Sequence, residues 1–130
     1  MIKGNSRGKI DGLHVFLSIS EDPWSRPDDD DGMTPKQHEA WGNDDWRYVA
    51  ATVHLELNGI EIGSASYGGL EFGTFLLTND NDEITGTTEI DEDKIWEYVG
   101  DELAGQALGN AYDFSDAMQA WRTANPSGLD

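Results

Sequence analysis

The sequence predicts an α+β domain: an antiparallel sheet of four or five strands, built from two hairpins, with C-terminal helices packed on one face. Three observations predict it. Residues 47–57 place Val49, Ala51, Val53, Leu55 and Leu57 on one face of an alternating run. Asn58-Gly59 then supplies the two positive-φ positions of a type I′ turn, and Ile60 and Ile62 resume the alternation. A second alternating pair, residues 70–77 and 83–87, flanks the turn-forming Asn79-Asp80-Asn81-Asp82. Finally, Ile95, Val99, Leu103, Ala107 and Ala111 recur at helical spacing, joined by Tyr98 and Leu108.

The remaining elements follow in chain order. Leu13, Val15, Leu17 and Ile19 alternate with His14, Ser18 and Ser20 as a first strand. An acidic loop at residues 21–34, with Pro23, Pro27 and four consecutive aspartates, precedes Thr34-Pro35, which reads as an N-cap and first helical position. Gly68-Gly69 is expected to break the sheet pattern between the hairpins. The long helix is expected near Thr88, where Glu89, Asp91, Glu92 and Asp93 suit the positive end of the helix dipole. Gly100, Gly105 and Gly109 mark candidate kinks or close approaches, and Ser115 is read as the cap of a last short helix. Leu55, Ile60, Ile62, Val99 and Leu103 are expected to share a core, and Trp46, Trp96 and Trp121 to pack.

With 130 residues, 37% of them hydrophobic, the chain suits a single acidic domain over residues 1–130. It has no cysteine, which excludes disulfides and thiolate metal sites and fits a reducing, cytoplasmic compartment. The first apolar stretch is interrupted by Asp11 and alternates with period two, unlike a signal peptide. No uncharged run approaches the roughly 20 residues that span a bilayer, so no membrane association is expected.

Charge is the most informative property. The formal net charge is −18, with 26 acids against 8 basic residues. Residues 21–45 hold nine acids against Arg26 and Lys36, and residues 80–102 hold ten against Lys94, so these two segments carry −16. Duplex DNA carries one charge per about 1.7 Å, so sixteen carboxylates match roughly 27 Å of duplex, close to the width of a domain this size. Such a face would attract a basic protein that evolved to hold nucleic acid, while having no affinity for nucleic acid itself. The residues expected to bind that partner are Asp28, Asp29, Asp30, Asp31, Asp44, Asp45, Asp80, Asp82, Asp91 and Asp93. Trp24 and Trp41 stand beside the acidic runs and suit interface anchors as well as packing. The competing reading is that the acidity serves only solubility or salt adaptation.

Metal and catalytic readings find little in the spacing. With Gly32 at position 6 of a calcium loop, Pro27 would be first and His38 twelfth; with Gly86 there, the ligands would be Asn81, Glu83, Thr85 and Glu92 on a hairpin. Neither is a site, and no metal or cofactor is expected. There is no Gly-x-Ser-x-Gly elbow, phosphate loop or dinucleotide fingerprint. His54 and Glu56 would share a strand face and suit a proton transfer, but a solvated polar face is the expected reading. The chain is therefore expected not to be an enzyme.

Trp46-Arg47-Tyr48-Val49, Asn58-Gly59-Ile60-Glu61, Gly69-Leu70-Glu71-Phe72-Gly73 and Leu77-Thr78-Asn79-Asp80 give residues 10–110 a character that resembles small acidic proteins of unassigned function encoded by bacteriophages, especially those of actinobacteria. Ser66-Tyr67-Gly68-Gly69 departs from that group, where a Trp-Gly pattern is associated with the position. The resemblance carries over no catalytic residue. It implies context: a phage-encoded inhibitor of a host nucleic-acid-binding or defence system, of anti-CRISPR or anti-restriction type, acting as a DNA mimic in the host cytoplasm. The alternative is a phage accessory or assembly protein whose acidity is incidental.

Overall fold

A computed structural model describes residues 5–28 and 32–126. Five strands, β1 (Asn5–Ile10), β2 (Leu13–Glu21), β3 (Trp46–Leu57), β4 (Ile60–Thr78) and β5 (Ile84–Ile90), form one antiparallel sheet in the order β1-β2-β3-β4-β5. Helix α1 (Pro35–Gly42) lies between β2 and β3. After β5, α2 (Glu92–Ile95), a single π turn (Trp96–Gly100) and α3 (Asp101–Ala124) form the C-terminal helical run that packs against the sheet. The α+β architecture is the one the alternating runs and the helical stripe predict.

The chain divides into two compact units. One comprises Met1–Ser18, Thr52–Ser66 and Gly100–Asp130; the other comprises Ile19–Ala51 and Tyr67–Val99. Strands β2, β3 and β4 contribute to both.

In the first unit, Leu13, Val15, Leu17, Val53, Leu55, Leu103, Ala104, Ala107 and Ala111 are buried. Helix and strand meet closely at Gly63, where an added Cβ would lie 2.4 Å from the Ala107 carbonyl oxygen and 2.9 Å from the Ala111 Cβ. Only glycine fits there, because the obstacle is helix backbone. Strand β1 was not foreseen, although Asp11-Gly12 takes positive φ at both residues, as a two-residue hairpin turn requires.

The second unit has an aromatic core. Trp46 is buried, with its indole edge-on to Tyr48 and Phe75 at 5.1 Å each and its Nε1 donating to the Gln37 carbonyl at 2.9 Å. Ala40 completes the cluster, and Met33, Trp41 and Leu76 pack on it. Thr34 donates its N–H to the Gln37 side chain at 2.9 Å, closing the N-terminus of α1 as its Thr-Pro start predicts.

Several expectations are corrected. Gly68-Gly69 does not end a strand: β4 runs from Ile60 to Thr78, and Gly69 absorbs the irregularity at φ +71°. The helix starts at Glu92, not near Thr88, because residues through Ile90 pair with β4 and Asp91 is the N-cap, its carboxylate accepting from the Lys94 N–H at 3.1 Å. Ser115 caps nothing, since α3 passes through it to Ala124. Gly105 and Gly109 face open space, while Gly100 is buried in the π turn. Ile60 is 67% exposed and Leu57 is exposed, because both flank the hairpin tip at Asn58-Gly59. Trp121 is 54% exposed, lying beyond the last buried residue of α3.

Candidate partner-binding surface

Of the acids that the sequence singles out, the described ones, Asp28, Asp44, Asp45, Asp80, Asp82, Asp91 and Asp93, fall in the second unit. Asp28 is exposed in the loop after β2, while Asp29, Asp30 and Asp31 lie outside the described residues. Asp44 and Asp45 form the turn from α1 into β3, with their N–H groups donating to the carbonyls of Trp41 and Ala40 at 3.1 and 3.0 Å. Asp44 takes φ +62°, which short acidic side chains tolerate better than most, so this residue serves the turn as well as the surface. Asp80 sits at the tip of the β4–β5 hairpin, which Asn79 closes by accepting from the N–H groups of Asn81 and Glu83 at 3.0 Å.

The β4–β5 hairpin meets the start of α1. The Asp82 carboxylate accepts the Lys36 N–H in the first turn of α1 at 3.3 Å, which aligns a negative charge with the positive end of that helix. Thr34 and Thr78 hydroxyls bond at 3.0 Å beside it, and Gln37 Nε2 donates to the Leu76 carbonyl at 2.7 Å. The turn at Asp45 is tied to β4 in the same way, its carbonyl accepting the Thr74 N–H at 2.9 Å, and Thr74 Oγ1 donates to Glu89 on β5. Asp91 and Asp93 follow at the start of α2, both exposed.

One feature of this unit was missed. Asp22, just past β2, accepts three hydrogen bonds: from the Ser25 hydroxyl at 2.7 Å, the Gly69 N–H at 2.8 Å and the Trp24 N–H at 3.1 Å. Its own N–H donates to the Tyr48 carbonyl at 3.1 Å. The Ser25 hydroxyl and then the Gly69 amide hold the carboxyl below its ordinary value, against a smaller opposing effect of desolvation. Asp22-Pro23-Trp24-Ser25 is a legible Asx-turn pattern, but a partner 47 residues away is not local information. The consequence is a pinned loop that holds Trp24 92% exposed.

Asp22, with Glu21, Arg26, Trp41, Asp44 and Arg47, lines a cleft of about 290 Å³. The Arg47 guanidinium stacks over the Phe72 ring at 5.4 Å. Trp41 is half-buried on the aromatic cluster, so of the two tryptophans left open between anchor and packing, Trp24 alone is presented to solvent.

Protonation of Asp22 is expected to release the loop. A carboxyl whose folded pKa is depressed stabilises the fold above its unfolded value, near 3.8, and loses that contribution as pH falls through the folded value. The protection factor of the Gly69 amide, its exchange rate compared with that of an open amide at the same pH, should therefore fall as pH drops below 3.8, and Asp22→Asn should show the lower protection at neutral pH. Unchanged protection of Gly69 in Asp22→Asn would contradict the pin.

His54 and Glu56, expected on a solvated face, are instead each 5% exposed on β3, the middle strand of five. In the first unit His54 is held by Ser18 on β2, whose Oγ lies 2.8 Å from Nε2, and by Glu61 on β4, bonded to Nδ1. This Ser-His-Glu order is that of an activated nucleophile, which needs its hydroxyl open to a substrate. Here the imidazole is enclosed between strands, and the arrangement ties β2, β3 and β4 together. His54→Ala should cost about 2 kcal/mol in a urea titration by stranding two partners. His54→Ala with Glu56→Ala should leave partner binding within a few-fold, and reaction of Ser18 with a fluorophosphonate would overturn the structural reading.

Among the described residues there is no group of three or more His, Asp and Glu placed to hold a metal ion, and no helix long and apolar enough to cross a membrane. Compared with protein-family models, curated proteins and solved structures, the chain has no match.

Proposed function

We propose that this chain is a non-enzymatic acidic binding protein of phage type, an inhibitor that occupies the basic surface where a host nucleic-acid-binding or defence protein holds its substrate. The observation that carries the reading is the partition of charge. The second unit, made of two 33-residue stretches, holds eighteen acids against Arg26, Lys36, Arg47 and Lys94, for −14. The first unit, almost as long, holds eight acids against four basic residues, for −4. Acidity that served only solubility would be shared evenly between units of equal size. Fourteen charges at duplex spacing correspond to about 24 Å of DNA.

Among the described carboxylates, those of Asp44, Asp45, Asp80 and Asp82 stand on short hydrogen-bonded turns, so they need little ordering when a partner arrives. Trp24, exposed on the pinned loop, suits an anchor in an apolar recess of the same partner. The test is retention from host lysate at low and high salt, followed by displacement with DNA or RNA. A retained basic protein that releases on adding nucleic acid supports the reading; one that binds nucleic acid and this chain together contradicts it.

A further inference from the structure

We propose that the C-terminal half of α3 is a self-association face, covered by the same helix of a second copy of the chain about a two-fold axis. Ala104, Ala107, Ala111, Phe114, Met118 and Trp121 recur at alternating spacings of three and four, so they lie on one stripe of α3. The first three are buried, at 7%, 0% and 3% exposure; the last three are 50%, 43% and 54% exposed. The stripe that packs within the first unit thus continues, uncovered, past the point where burial stops.

That point is fixed. Asn110 Nδ2 donates to the Ser64 carbonyl at 2.8 Å, and the Tyr112 hydroxyl donates to the Asp11 carboxylate at 2.7 Å. Beyond it, no residue of 112–124 is buried. A segment this short has little helical stability of its own in water, so the overhang gains from a cover.

The geometry selects the occupant. A narrow seam with alternating three- and four-residue spacing fits the ridges of another helix better than a sheet. The seam itself carries no charge, because Asp113 and Asp116 lie about 100° and 200° around the helix from Phe114. A basic partner recruited by the acidic unit would find nothing to pair with along it. A second copy supplies a helix of matching length with the same uncharged seam, in the self-complementary manner of a two-fold interface.

Three large side chains left half-exposed offer roughly 300 Å² per copy, within the size of a functional patch. With the methyl groups of Ala117 and Ala124 beside the seam, a pair would bury about 900 Å², below the standard size and in the range of weak, transient association. The association should be weak, with a dissociation constant on the order of micromolar.

Sedimentation equilibrium of the full chain, from about 1 to about 200 µM, reads the result. The mass should climb from 14.3 kDa toward twice that value, and Met118→Glu with Trp121→Ser should stay at 14.3 kDa throughout while keeping the folded circular dichroism of the sheet. Since the chain has no cysteine, single substitutions give a second test that survives if the charged variant unfolds. Met118→Cys should form a disulfide-linked pair at least about tenfold faster than Asp116→Cys, which lies on the opposite face of the helix. A wild-type chain of 14.3 kDa at every concentration, a pair that persists in Met118→Glu, or equal cross-linking at both positions would each overturn the proposal.

Discussion

Replacing Gly63 with alanine is expected to destabilise the fold by about 3 kcal/mol, among the largest effects of any single methyl group added to this chain. The new Cβ would sit 2.4 Å from the Ala107 carbonyl oxygen, and that oxygen belongs to helix backbone that cannot turn aside. Strand and helix would have to separate. Ala107 is fully buried and Ala111 nearly so, and separation would loosen both. The same substitution at Gly105, where a Cβ meets nothing within 4 Å in the middle of α3, should instead stabilise by up to about 1 kcal/mol, through helix propensity alone. Urea titrations of the two variants beside the parent check the pair. Equal stability of Gly63→Ala and the parent would show that the approach of β4 to α3 is looser than described.

The second large effect concerns binding. Neutralising the four aspartates Asp28, Asp29, Asp30 and Asp31 to asparagine should weaken association with the basic partner by about tenfold, mostly in the association rate, because steering depends on the field of the clustered charge. The control must remove charge elsewhere without harming the fold. Glu56 and Glu61 are unsuitable, since Glu56 is buried and Glu61 holds His54. Asp101, Glu102, Asp113 and Asp116 are exposed acids of the first unit and suit the purpose. Their neutralisation should change the affinity by a few-fold. Stopped-flow association rates separate the two cases, and equivalence would reduce the acidic unit to a solvated surface.

The parts of the fold that were legible in the sequence are those whose signal is local. Asn58-Gly59 between alternating runs gave the central hairpin, and Thr34-Pro35 gave the start of α1. The apolar stripe marks the long helix, and Phe114, Met118 and Trp121 carry the same repeat through Ser115, which outweighs the capping tendency of a serine. Strand β1 escaped because residues 5–10 contain one aliphatic side chain, Ile10, so alternation is silent there; the Asp11-Gly12 turn was the available signal.

What could not be read depends on neighbours distant in the chain. Gly68-Gly69 looked like a strand end because nothing nearby shows that Asp22 accepts the Gly69 N–H. His54 and Glu56 alternate with apolar residues, as on any half-exposed strand; the side chains that flank His54, Ser18 on β2 and Glu61 on β4, come from strands that local spacing does not bring together. The candidate site divides in the same way. The two acidic runs are plain in the sequence, whereas their membership of one unit, and the contact of Asp82 with the first turn of α1, come from topology.

The most direct test of the central claim is a competition titration at several salt concentrations, with the retained partner bound to labelled nucleic acid and this chain added. The account predicts that the chain expels the nucleic acid completely and that its own binding weakens steeply as salt rises past physiological strength, where the Debye length is about 8 Å. A ternary complex of partner, nucleic acid and this chain, or binding unchanged by salt, would contradict it.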